Sequence, residues 1–213
     1  MFDFPNVKAC VVLFAGCNMR CIYCYNTQIA AGEGKVGYDE FVDFLNSRKG
    51  EIDGVVFSGG ECTNCDDFIS YAKKVKELGL LLKIDTNGSN PNAIKKAVEL
   101  NLIDFIALDF KADEENFKII TNSNLYENFL QTLRFLISKN FDFEVRTTVH
   151  SDFLDEKTIE KMAKILEFEG YKGTYFLQNF LYTGENFGCI GKPVSKFDPN
   201  KINSNLKISL RNF

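Results

Sequence analysis

Six short apolar runs, the first five each followed by helical periodicity, recur along a chain of 213 residues. The runs cover residues 7–14, 53–57, 80–84, 104–108, 143–149 and 173–178. The helical stretches cover 38–48, 66–78, 91–100, 113–120, 125–140 and 155–169. Alternation of this kind implies parallel pairing through right-handed crossovers, hence an α/β protein. Six units are too few for the eight strands of a closed barrel of ~250 residues. The expected architecture is a partial (β/α)6 TIM-like barrel built on a parallel sheet. Residues 7–14, apolar apart from Lys8 and rich in Val, read as a buried strand. Asp66 is placed to cap the second helix and Pro91 to start the third. Residues 206–210 alternate apolar and polar and suggest a terminal strand. The chain reads as a single domain over 1–213, with a core at 7–180 and a C-terminal extension at 181–213.

Composition narrows the function classes. Hydrophobic residues make up 45%, and 21 Phe supply a large interior. The net charge of −4 comes without a basic run, which argues against nucleic acid as a partner. No stretch approaches the ~20 apolar residues of a membrane span. Met1-Phe2-Asp3-Phe4-Pro5 has neither the charged nor the apolar region of a secretory signal, so the cytoplasm is expected. An odd count of seven cysteines then points to metal or redox chemistry and away from a disulfide framework.

Three of those cysteines, Cys17, Cys21 and Cys24, stand in a C-x3-C-x2-C spacing directly after the first run. Chance would produce that spacing in about 0.008 of chains with this cysteine content. Three neighbouring thiolates can hold three irons of a [4Fe-4S] cluster, leaving the fourth iron open to an outside ligand. The alternative, structural zinc, usually takes four ligands in two pairs, a pattern missing from this sequence. Tyr23, one residue before the last cysteine, is placed to shield such a cluster.

The remaining motifs also fall at the C-terminal ends of expected strands, where parallel α/β proteins build their sites. Ser58-Gly59-Gly60-Glu61 offers glycines for close backbone approach and a carboxylate for an ammonium group. Asp85-Thr86-Asn87-Gly88 and Asp109-Phe110-Lys111 follow the third and fourth runs. Asp85 and Asp109 can alternatively cap helices, with Lys111 solvated. Arg146 lies on the fifth run, facing into or out of the sheet. His150, the sole histidine, reads as structural. Cys62 and Cys65 form C-x2-C; with Cys10 and Cys189 they are too scattered for a convincing second cluster.

The cysteine loop resembles the signature of the radical S-adenosylmethionine (SAM) enzymes, over about residues 7–180. Within that superfamily the chain resembles the activating enzymes of glycyl-radical proteins, above all the activators of anaerobic ribonucleoside-triphosphate reductase. The resemblance implies a [4Fe-4S] cluster on Cys17, Cys21 and Cys24. It also implies SAM held through Tyr23, Ser58, Gly59, Gly60, Glu61, Asp85, Asn87, Asp109, Lys111 and Arg146. It further implies a flavodoxin or ferredoxin electron donor and a backbone glycine of a large partner enzyme as substrate. In the pyruvate formate-lyase activator this region holds a monovalent cation; the matching positions are the Asp85 and Asp109 side chains and the Thr86 and Ala107 carbonyls. Two departures are Cys62, where the family often has Pro, and Gln178, where the pyruvate formate-lyase activator has a SAM-contacting histidine. The competing readings are a radical SAM enzyme acting on a small molecule, such as 7-carboxy-7-deazaguanine synthase, and a non-catalytic iron–sulfur carrier.

Overall fold

The computed structural model describes residues 3–213; Met1 and Phe2 of the N-terminal reading lie outside the described residues. Seven strands form one sheet whose spatial order follows the sequence: β1 (Ala9–Phe14), β2 (Gly54–Gly59), β3 (Leu81–Thr86), β4 (Phe105–Asp109), β5 (Phe143–Val149), β6 (Tyr175–Asn179) and β7 (Ile208–Arg211). Every adjacent pair is parallel. The expected terminal strand exists, and it extends the six-unit sheet by one strand.

The crossovers carry α1 (Thr27–Ala31), α2 (Tyr38–Ser47), α3 (Phe68–Glu77), α4 (Pro91–Glu99), α5 (Glu114–Thr121), α6 (Tyr126–Ser138) and α7 (Glu156–Phe168). Their ends follow local chemistry. The Asn90 side chain accepts from the Ala93 N–H with Pro91 at the first helical position, and Asp155 accepts from the Thr158 N–H at 2.8 Å. Asn122 closes α5 in the left-handed conformation, φ 52°. Asp66 does not cap α3: the residue before the helix is Asp67, and its side chain makes no capping bond.

Period-two alternation gives the sheet two unlike faces. One face buries Val55, Phe57, Leu82, Ile84, Ile106 and Val145 against the helices in one continuous apolar core. The other face, concave, carries Lys83, Asp85, Asp109, Glu144, Arg146 and Arg211 toward a shared cavity. β1 departs from the buried strand expected of its composition. It is an edge strand, and Val11 and Leu13 on its concave face are 41% and 56% exposed.

The C-terminal extension is tied to the rest of the fold at several points. The Gly188 N–H donates to the Ile22 carbonyl at 2.9 Å, His150 Nε2 lies 3.0 Å from the Gly191 carbonyl, and the Asp152 carboxylate accepts the Val194 and Ser195 N–H groups. His150 is buried. Among the described residues no helix is long and apolar enough to cross a membrane.

Phe57 is fully buried at the centre of the core, its ring 4.8 Å from Phe14, 6.2 Å from Phe41 and 6.4 Å from Phe68. Phe57→Ala is expected to lower unfolding free energy by about 3–5 kcal/mol in urea titrations. A loss below about 1 kcal/mol would contradict this packing.

Candidate active site

Backbone packed on backbone positions the cysteine loop. At the end of β2 the Gly60 N–H donates to the Phe14 carbonyl at 2.7 Å and the Glu61 N–H to the Gly16 carbonyl at 2.9 Å. A Cβ on Gly60 would stand 2.0 Å from the Gly16 oxygen, and one on Gly59, at φ +102°, 2.7 Å from the Phe14 oxygen. Both glycines are therefore required by the seam between β2 and the cysteine loop, before any ligand is considered.

Glu61 is tied into the protein itself. Its side chain is buried, and its carboxylate accepts from the Thr63 N–H and hydroxyl, the Thr86 hydroxyl and the Asn87 N–H. Burial pushes its pKa up, and these donors offset part of that rise. The side chain thus clamps the turn after β2 to the turn after β3, with three of the four bonds on Oε1 and one on Oε2, and Glu61 also lines the shared cavity. Asn87 continues the clamp: its Nδ2 donates to Asn18 Oδ1 at 3.0 Å and stands 4.0 Å from Cys17 Sγ. The Met19 N–H reaches the same sulfur at 3.5 Å.

Cys17, Cys21 and Cys24 all line one cavity of about 400 Å³, within the range of small-molecule sites. Cys21 is buried, and its thiol is pushed up to about 12, chiefly by burial. A [4Fe-4S] cluster takes one thiolate per iron, and three cysteines on one wall supply three of its four ligands. The Tyr23 hydroxyl is buried without a protein partner beside Lys111 and Cys21, an orphan that a bound group would satisfy. Donor set and orphan together fit a [4Fe-4S] cluster. The other cysteines do not join it: Cys62 is sealed in the core, Cys65 and Cys10 are half-buried away from the cavity, and Cys189 is exposed.

Facing the cysteines is a frame of paired charges. Arg146 points into the concave face, its Nε 2.9 Å from Asp109 Oδ1 and its Nη1 3.5 Å from Asp85 Oδ1. Lys111 Nζ lies 3.1 Å from Asp109 Oδ2, Lys83 pairs with Asp85 Oδ1, and the Ser58 hydroxyl donates to Asp85 Oδ2 at 3.0 Å. Neither aspartate caps a helix; the residues preceding α4 and α5 are Asn90 and Asp113. Where the resemblance implies a monovalent cation, the Arg146 guanidinium reaches both carboxylates, of Asp85 and Asp109. Burial pushes the Asp109 carboxyl up, but Arg146 and Lys111 override it and hold the pKa at about 2, below the usual 3.8.

Three members of this frame escaped the motif reading. Lys83 interrupts an apolar run and shares a face with Asp85 at i, i+2. Glu144 stands in the same relation to Arg146. Arg211 lies on β7, makes a bidentate pair with Glu144 at 2.8 and 3.0 Å, and stacks 3.7 Å from the Phe176 ring centroid. Gln178 also lines the cavity.

The chain matches the radical SAM superfamily over residues 11–176. It is 32% identical over 175 residues to MJ1227 of Methanocaldococcus jannaschii, which is named as a glycyl-radical enzyme activating enzyme; the match covers 78% of this chain and 71% of that one. It is 31% identical over 178 residues to the pyruvate formate-lyase-activating enzyme of Clostridium pasteurianum, covering 78% and 72%. Streptococcus suis SuiB bound to S-adenosylmethionine superposes with a TM-score of 0.74 at 14% identity, a likeness of fold alone that covers 96% of this chain and 50% of SuiB. The chain belongs to the radical SAM superfamily, and within it to the glycyl-radical enzyme activating enzymes.

The Asp109 pairing predicts an acid-sensitive component of stability. Because its folded pKa lies below the unfolded value, the contribution is complete above about pH 4–5 and is lost as pH falls toward 2. A shift from 3.8 to about 2 corresponds to roughly 2 kcal/mol. Thermal unfolding of wild type and Asp109→Asn between pH 6 and 2.5 is expected to show a smaller acid loss in the variant. Parallel curves would contradict the pairing.

Proposed function

We propose that this chain activates a glycyl-radical enzyme by radical SAM chemistry, with anaerobic ribonucleoside-triphosphate reductase as partner. The observation that carries the reading is one cavity whose wall combines three cysteine thiols with paired charges of both signs. Cys17, Cys21 and Cys24 would hold a [4Fe-4S] cluster with one iron open. When bound, that cluster supplies the electron that cleaves SAM reductively.

The chain's own residues bind and orient. Lys111 and Arg146 present positive charge to a ligand carboxylate, and Asp109 with the backbone of Gly59 and Gly60 presents acceptors to its ammonium. Ser58 and Lys83 steady Asp85, and Asn87 steadies the Cys17 sulfur. Tyr23 and Met19, both buried, close the floor beneath the cysteines against water. β1 and β7 are the unpaired edges of the sheet, so the concave face stays open at the side. Such an opening suits a protein loop carrying the target glycine.

Asp85-Thr86-Asn87-Gly88 and Asp109-Phe110-Lys111 are similar to motifs of the glycyl-radical activating enzymes as a group. One feature supports the reductase as partner: Gln178 stands on the cavity wall where the pyruvate formate-lyase activator has a histidine. In this reading residues 1–213 act as one unit in the cytoplasm, with a flavodoxin or ferredoxin as electron donor.

The test is anaerobic. Cluster-loaded, reduced protein given SAM is expected to yield 5′-deoxyadenosine, and Cys24→Ala is expected to reduce it to background. With the candidate reductase added, a glycyl-radical EPR doublet should appear. Doublets with pyruvate formate-lyase alone would reassign the partner. An intact cluster that gives no 5′-deoxyadenosine would contradict the enzyme reading.

A further inference from the structure

Asp85 and Asp109 end neighbouring strands and face the same cavity, an arrangement in which two carboxylates repel unless a positive charge sits between or beside them. All four of their oxygens already have a protein partner. Asp85 Oδ1 faces Lys83 and, at 3.5 Å, Arg146; Asp85 Oδ2 accepts from Ser58 at 3.0 Å. Asp109 Oδ1 faces Arg146 at 2.9 Å and Asp109 Oδ2 faces Lys111 at 3.1 Å.

Lys83 is the unusual member. A lysine side chain only 3% exposed is rare unless it is paired, and its one ion pair among the described residues is with Asp85. Lys111 and Arg146 lie higher on the wall, 18% and 13% exposed. They can turn toward a ligand carboxylate. Lys83 lies beneath them and keeps Asp85 compensated whichever way Arg146 points.

The contacts lead the same way. Lys83, Lys111, Arg146 and Ser58 leave no oxygen of Asp85 or Asp109 without a protein partner. A free monovalent cation would have to displace one of these partners to reach either aspartate.

The geometry points to Lys83 as a tethered cation, a positioning residue that stands in for a free monovalent ion beside Asp85, so that ligand binding in this cavity does not depend on sodium or potassium. The ligand assumed is the SAM of the reading above, but the ion measurement below does not need it.

The experiment has two arms. Thallium(I), a potassium-sized probe, is titrated as its acetate into the cluster-loaded protein and followed by thallium-205 NMR. In parallel, SAM affinity is measured by anaerobic calorimetry in potassium acetate and in tetramethylammonium acetate at equal ionic strength. The wild type is expected to bind no thallium saturably and to hold SAM within about twofold in the two salts. Lys83→Met is expected to bind thallium and to lose roughly tenfold in SAM affinity in tetramethylammonium, with recovery in potassium. Lys83→Arg is expected to behave as wild type.

Saturable thallium binding by the wild type, or a roughly tenfold fall in its SAM affinity without potassium, would overturn the inference. So would a Lys83→Met protein equally weakened in both salts, which would mark Lys83 as merely structural. If Lys83→Met does not fold, the wild-type arms still decide. Wild type that binds no SAM in either salt would defeat the SAM reading alone, because the thallium arm stands without it.

Discussion

At the seam between β2 and the cysteine loop two stretches of main chain meet with no side chain between them. Gly60 lies so close to Gly16 that a single added carbon would stand 2.0 Å from its oxygen. Two backbone hydrogen bonds close the seam, and Cys17 follows it by one residue. Main chain held in this way moves less than side chains on a free loop, which suits thiols that must match the spacing of a preformed cluster. Glu61, one residue beyond, carries the same rigidity onward. Its buried carboxylate gathers donors from the turns after β2 and β3, so the cysteine loop, the glycine pair and Asn87 form one body.

The second constraint is electrostatic. Burying isolated charges costs several kcal/mol each, whereas truncating one partner of a buried pair costs about 3–5 kcal/mol. The concave face meets this by alternation, Lys83 with Asp85, Arg146 with Asp85 and Asp109, Lys111 with Asp109, and Arg211 with Glu144. Strand register makes the alternation possible. In a parallel sheet, residues two apart on one strand face the same side, and paired residues share a face with their neighbours. Asp109 is in register with Arg146, and Gln178 with Arg211. A frame of both signs, already paired before any ligand enters, offers both charges that a zwitterion needs.

Much of this was legible in the sequence for physical reasons. Parallel strands covered by helices read as apolar runs, so β2 to β6 were visible, and motifs at their C-terminal ends could be placed on one rim. The cysteine spacing was informative because chance rarely produces it. Other features were hidden. β1 is as apolar as a buried strand although Val11 and Leu13 are exposed at the sheet edge, so it looked internal. Asp66 and Asp67 are equivalent candidates for a cap when only sequence is available. Glu61 sits in a motif suggestive of ligand binding, and only the fold shows that Thr86 and Asn87, from the next strand and its turn, occupy its oxygens. Lys83 carries no motif signal, because its relation to Asp85 depends on both side chains facing the same side of the strand. Arg211 lay in a segment of weak periodicity, half-exposed at the far edge of the sheet.

The central claim is that three cysteines and a charge frame converge so that SAM meets an open iron. The most direct test is electron–nuclear double resonance on the reduced, cluster-loaded protein with SAM labelled by nitrogen-15 in its amino group or oxygen-17 in its carboxylate. The account predicts hyperfine coupling from both labels to the cluster, because the frame holds the ammonium and carboxylate ends against the cysteine loop. An intact cluster with SAM bound and no coupling from either label would contradict it.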